Sequence, residues 1–281
     1  MSPLPPTTES PSGVTENAGW DCHAHLFGPY RRYPLAPHST HTPPEATVAQ
    51  YFALLQRLGL SHGVLVHPGA YGEDHRLLLD TLAQHPALRG VVVVRPGMAL
   101  TLAGLRARGI RGARFSHRHG ANLPGSASFD DLGRMAGTLA DHGLHAELWT
   151  DSASLPGVAA RLKALPVPVV IDHMGGFDLG AGVDGSGFRC LLELLECGHV
   201  WVKLCVYRNV LGMTDLEAGR PFHDRLVRAN PQRLLWGSDW PHLRVSPAPD
   251  AARLLRTFTQ WVGDDATVQR ILVTNPAALY G

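Results

Sequence analysis

The sequence predicts an α/β fold, a single (β/α)8 barrel of the TIM type, and three observations lead there. Strand-like apolar runs alternate with helical patterns eight times along the chain. Several runs, such as Val91–Val94, are continuously apolar, as parallel strands buried on both faces require. The length, 281 residues, suits one barrel domain of about 250 residues with extensions. A doubly wound open sheet shares this rhythm and is the alternative, because strand count alone does not establish closure.

Each element has its own signal. "GWDCHAHL" (19–26) reads as the first strand. "PPEATVAQYFALLQRLG" follows with Val48, Tyr51, Phe52, Leu55 and Leu58 at helical spacing and proline at its start. "HGVLVHPG" (62–69) and "LRGVVVVRP" (88–96) are the next strands, with a helix over 73–85 between them. A short helix over 99–108 is expected to stop at Gly109, and "IRGARFSH" (110–117) to form strand four. A helix over 128–142, "HAELWTD" (145–151) and a helix over 153–164 follow. The second half continues with "VPVVIDHMG" (167–175), a helix over 186–197, "VWVKLCVYR" (200–208), a helix over 221–229, "RLLWGSDWPH" (233–242), and helices over 248–262 and 264–272. Residues 1–18, rich in Pro, Ser and Thr, read as a disordered leader, leaving one domain over 19–281.

Composition narrows the function. With 25 basic against 24 acidic residues there is no electrostatic case for nucleic acid or an anionic membrane. No run approaches the roughly 18 uninterrupted apolar residues of a membrane span, and the leader lacks the basic and apolar segments of a secretory signal. Cys22, Cys190, Cys197 and Cys205 form no CxxC pair, so they read as reduced thiols of a cytoplasmic protein. Sixteen histidines are the unusual count, in a residue suited to acid–base and metal chemistry. The loop "GAGVDG" (180–185) spells GxGxxG but does not follow a strand directly, so it is not a dinucleotide cradle. There is no GxSxG, HExxH or Walker loop.

A barrel carries its reactive groups at the carboxyl ends of its strands. His23 and His25 end strand one, His173 ends strand six and Asp239 ends strand eight. Strand alternation sends His23 and His25 to one face and Cys22 and Ala24 to the other. Each residue alone could be an ordinary core or capping group. Three imidazoles and a carboxylate at one end of one barrel match the needs of a single metal ion or a single polarised carbonyl. The "HRH" at 117–119 follows strand four and could join that pocket.

The blocks "DCHAHLFGPYRRYPLAP", "GIRGARF", "VVIDHMGG" and "LLWGSDWPH", in that order, resemble the amidohydrolase superfamily. The nearest branch is that of the metal-independent pyrone-dicarboxylate lactonases and related sugar-lactone and sulfomuconolactone hydrolases. The resemblance implies an enzyme that adds water to a small, anionic cyclic ester from aromatic or sugar-acid degradation. It implies Asp239 as general base, with His173, His23 and His25 polarising the lactone carbonyl. It also implies Arg114 and Arg208 as carboxylate readers, with Trp149, His41 and Arg118 contributing to substrate binding. No required metal is expected. If a divalent ion (Zn2+ or Mn2+) is used, His23, His25, His173 and Asp239 would hold it. A binuclear site is not expected, because His145 lies at the far end of strand five. The chain departs from the dicarboxylate pattern at His41, at Gly176 and Gly120, where arginines are expected, and at Trp149, so the named pyrone does not follow. The alternatives are a mononuclear zinc-dependent decarboxylase or hydratase and a catalytically idle ligand-binding barrel. The expected partner is a small molecule; a homo-oligomer is left open.

Overall fold

The computed structural model describes residues 19–37, 39–98, 100–119, 125–210 and 215–281. The expected leader and Gly120 lie outside them. Eight parallel strands lie side by side in the order β1 (Trp20–Ala24), β2 (His62–Val66), β3 (Leu88–Val92), β4 (Ile110–His117), β6 (His145–Thr150), β7 (Val169–Ile171), β8 (Val200–Leu204) and β9 (Leu234–Trp236). A two-residue strand, β5 (Ala127–Ser128), pairs on the edge of β4. The sheet closes beyond the end of β9. The Asp239 N–H donates to His23 O and the His25 N–H donates to Trp240 O, both at 2.8 Å, and Ala24 bridges Trp240 in parallel. The result is a closed TIM-type barrel rather than an open sheet.

Helices surround the barrel: α1 (Val48–Leu58), α2 (Arg76–Gln84), α3 (Phe129–Asp141), α4 (Leu155–Lys163), α5 (Ser186–Glu196), α6 (Arg220–Ala229), α7 (Ala251–Val262), α8 (Asp265–Gln269) and α9 (Asn275–Tyr280). The start of α1 is set not by proline but by a reciprocal box in which Thr47 and Gln50 each cap the other's backbone N–H; Gly59, at φ 68°, ends it. The helix expected over 99–108 does not form among the described residues. Residues 103–109 run as turns, with Gly104 and Gly109 at φ 74° and 90°. A left-handed glycine in the middle of so short a segment cannot be carried by a helix. The C-terminal helix is likewise split, its two halves joined by a wide π turn over Arg270–Thr274.

The core has two parts. A large layer lies between strands and helices, and a smaller cluster of Trp20, Cys22, Val64, Val66, Val91, Val170, Trp201, Leu235 and Tyr280 fills the barrel bottom. Cys22 belongs to that inner cluster, contrary to simple alternation. A register shift between Asp21 and Ala24 inserts one extra residue in β1. Such a bulge changes the phase of the strand, so Cys22 and His23 both face inward.

Candidate active site

The seam that closes the barrel also builds the site. Asp21 is fully buried and accepts from Ser238 N (2.8 Å), Ser238 Oγ (2.6 Å), His23 N (3.2 Å) and Tyr51 Oη (3.2 Å), tying β1 to the turn after β9. Burial pushes its carboxyl up to about 6, although these donors favour the ionised form. In the next turn Asp239 has φ 57° and His242 φ 61°; at the end of β7, His173 has φ 49°. Left-handed backbone at three non-glycine residues is strain held by its surroundings, a feature that clusters at functional sites. Gly237 has no room for a side chain, since a Cβ there would lie 2.7 Å from His23 Cβ.

His23, His25, His173 and Asp239 come together, all buried. His23 Nε2 is 3.3 Å from His25 Nε2 and 3.7 Å from Asp239 Oδ1, which lies 3.4 Å from His25 Nε2. The His23 and His173 rings are 4.8 Å apart between centroids. His25 Nδ1 donates to Val66 O at 2.8 Å, which places its proton there and leaves Nε2 as a bare acceptor. Asp239 Oδ2 accepts from Tyr207 Oη at 2.7 Å and from Arg208 Nε, whereas Oδ1 has no hydrogen-bond partner among the described residues. Burial would raise the Asp239 carboxyl, but with the surrounding rings neutral it is the Arg208 guanidinium and the Tyr207 hydroxyl on Oδ2 that oppose burial and favour the ionised form. Burial lowers His173 to about 4, so that ring is neutral at pH 7.

Beneath His23 lies a fully buried charged layer. Lys203 Nζ donates to Glu147 Oε2 at 2.5 Å, is 3.2 Å from His23 Nδ1 and 3.4 Å from Asp172 Oδ1. Arg114 clasps Asp172 Oδ2 through Nε and Nη2, both at 2.9 Å. Burial and the Asp172 charge push Glu147 up to about 7. Burial also opposes ionisation of Asp172, but the Lys203 and Arg114 charges hold it well below the usual range.

Above the cluster opens a cavity of ≈ 300 Å³. Its wall includes His25, His173 and Asp239 and the expected Arg114, Arg208, Trp149 and His41. Arg208 also donates to Leu243 O at 2.8 Å. Arg118 is not among the wall residues; its guanidinium stacks on Trp149, 4.7 Å from the ring centroid. His117 packs on Phe129 and the His119 N–H donates to Asp151, so neither histidine joins the cavity. Gly176 has φ 57°, and a Cβ there would meet Thr150 O at 2.7 Å. The local backbone therefore has no place for the expected arginine.

Sequence reasoning did not single out Tyr207, Lys203, Glu147, Asp172, His67 or Arg244. Two of them carried a signal: Glu147 and Lys203 are lone charges inside the apolar runs "HAELW" and "VWVKLCV", and strand alternation turns both inward. Arg244 lines the cavity mouth, 3.5 Å from His41 Nδ1, and no carboxylate among the described residues pairs with it. A metal is compatible with the spacing, because ligand atoms of His23, His173 and Asp239 lie within 4.8 Å of one another.

Comparison with known proteins agrees with this fold. The amidohydrolase family profile matches residues 20–281. A 4-sulfomuconolactone hydrolase of Rhizobium radiobacter is 33% identical over 274 residues, covering 93% of this chain and 89% of that protein. A 2-pyrone-4,6-dicarboxylate hydrolase of Comamonas testosteroni is 33% identical over 292 residues, covering 99% and 93%. A crystal structure described as a probable 2-pyrone-4,6-dicarboxylic acid hydrolase from Acinetobacter baumannii, with citric acid bound, superposes with a TM-score of 0.81 at 26% identity, covering 94% of this chain and 99% of that one. With its barrel closed through the histidine and aspartate blocks, the chain belongs to the amidohydrolase family.

Proposed function

We propose that this protein hydrolyses a small anionic lactone, with Asp239 as general base. The observation that carries the reading is the division of labour within one carboxylate. Oδ2 is fixed by Tyr207 and Arg208, while Oδ1 is buried, unpartnered and directed at the imidazole cluster. An ionised oxygen so placed can take the proton of a water as the water oxygen bonds to the lactone carbonyl carbon. The ring C–O bond then breaks, and the departing oxygen receives that proton, giving a hydroxy acid and regenerating the carboxylate. An N–H donor from His173, which lines the cavity, meets the developing oxyanion, one good donor contributing about 3 kcal/mol, whereas His23 is fully buried and does not line the cavity. His25, its proton held by Val66 O, offers a lone pair and orients His23 rather than donating.

The cavity wall carries Arg114 and Arg208, paired with Asp172 and Asp239, and Arg244, which no carboxylate among the described residues pairs, and that remaining positive charge favours an anionic substrate. The names of the two curated relatives support a lactone bearing carboxylate or sulfonate groups. The cytoplasm is the proposed location; no helix among the described residues is long and apolar enough to cross a membrane.

The four residues do not fit a metal as a complete ligand set. Asp239 Oδ1 and His25 Nε2 are bare, but in our reading His23 Nδ1 accepts from Lys203 Nζ, 3.2 Å away, so that the ring proton stays on the nitrogen facing the cluster. The proposed reaction therefore runs on the protein's own groups. A lactone panel containing 2-pyrone-4,6-dicarboxylate, 4-sulfomuconolactone, a sugar-acid lactone and an uncharged γ-lactone, assayed before and after chelator dialysis, tests both points. Turnover of an anionic lactone that survives chelation is expected. Strict dependence on added zinc would instead favour the mononuclear metal reading.

A further inference from the structure

We propose that Lys203 is a positioning residue that holds His23 in the Nε2–H tautomer, making its ring a hydrogen-bond donor to the site instead of a metal ligand. The proposal builds on the hydrolase reading but is tested without turnover. A neutral imidazole carries one proton, and the partner of one ring nitrogen decides where it sits. Two groups compete for His23 Nδ1. Asp172 Oδ1, an acceptor, lies 3.3 Å away, and Lys203 Nζ, a donor, lies 3.2 Å away. The lysine contact has hydrogen-bond geometry; Asp172 Oδ1, despite its distance, has no hydrogen-bond partner.

The remaining contacts agree with that choice. An ammonium has donors only, so His23 Nδ1 must accept. The proton then sits on Nε2, 3.3 Å from His25 Nε2. His25 can accept it there because its own proton is committed to Val66 O at 2.8 Å. Lys203, His23, His25 and Val66 thus form one donor-to-acceptor chain, and the one pair of like groups left in it is His25 Nε2 and Asp239 Oδ1, 3.4 Å apart. In the opposite tautomer the bare nitrogens of His23 and His25 would face each other and Asp239 Oδ1, an arrangement that only a proton or a cation could relieve. Lys203 is itself over-determined: it is fully buried between Glu147 and Asp172. It therefore cannot swing away without leaving buried charge unpaired.

The direct test is 15N NMR of the whole protein with 15N-labelled histidine, the His23 signals identified by their loss in His23→Gln. A protonated Nε2 and an unprotonated Nδ1 are expected at neutral pH; the reverse pattern overturns the proposal. A second readout is zinc titration followed by calorimetry and metal analysis after gel filtration. Wild type is expected to retain less than stoichiometric zinc. Lys203→Met, with Glu147→Gln added to remove the unpaired acid, is expected to bind it at least about tenfold more tightly. Equal zinc affinity in wild type and a folded double variant overturns the proposal. If the tautomer is as stated but no lactone is turned over, the assignment to Lys203 stands and the hydrolase reading falls. If lactones are hydrolysed by a protein with the opposite tautomer, the reverse holds.

Discussion

Tyr207 is the residue whose role most sharpens the reading of Asp239. Its hydroxyl donates to Oδ2 at 2.7 Å, and burial and the Asp239 charge push its own ionisation up, so it remains a donor throughout the working range. A hydrogen bond to a charged group contributes about 1.5–3 kcal/mol, and a pKa unit corresponds to about 1.4 kcal/mol. Tyr207→Phe should therefore move the acidic limb of the kcat/KM profile upward by about one pH unit while leaving the neutral-pH fold intact; an unmoved limb would separate Tyr207 from the base. Among single residues, those legible in the sequence were the ones that break a pattern at a strand end: His23, His25, His173 and Asp239. Tyr207 and Arg244 were not legible, since a tyrosine or arginine in a loop has no period, and only the 3-10 turn after β8 brings Tyr207 to Asp239 and the turn after β9 brings Arg244 to the cavity.

At the scale of elements, the strand ends do the positioning and the bulge in β1 is the least visible device. Alternation alone puts His23 and His25 together but sends Cys22 outward; the extra residue between Asp21 and Ala24 admits Cys22 to the barrel bottom as well. A register shift leaves no mark in composition, so it could not be read in advance. The missing helix over 99–108 has a similar origin: its apolar spacing is helical, yet Gly104 adopts φ 74°. The seam between β1 and β9 depends on close approach at Gly237. Gly237→Ala would press a methyl to within 2.7 Å of His23 Cβ. With neither backbone able to yield, it is expected to cost about 1–3 kcal/mol of stability and at least tenfold in kcat. Denaturant unfolding and steady-state kinetics check both, and wild-type values would mean that the seam tolerates expansion.

For the whole molecule, buried histidine sets the response to acid. Burial, with His75 and Lys203 respectively, lowers His67 and His145 to about 3, and burial lowers His173 and His242 to about 4, from an ordinary value of 6.5. As pH falls below 6.5 the unfolded chain takes up these protons first, so the stability they contribute is full above 6.5 and is lost as pH drops toward the folded values. Asp21 and Glu147, raised to about 6 and about 7, act in the opposite sense but are outnumbered. The urea midpoint should therefore decline steadily from pH 7 to pH 4; a rise over that range would refute the assignment of neutral buried rings. The barrel itself was legible because eight β/α units, continuous apolar strands and chain length agree, and closure was the part that strand counting left open. Closure is also what function depends on here, since His23, His25 and Asp239 themselves make hydrogen bonds joining β1 to the segment after β9, beside those of Ser238 to Asp21. The most direct test of the whole reading is the turnover of Asp239→Asn on whichever anionic lactone the wild type hydrolyses, with cooperative unfolding checked in parallel. Loss of at least about 100-fold in kcat from a folded protein is the expected result; kcat within tenfold of wild type would show that the proton of the attacking water goes elsewhere.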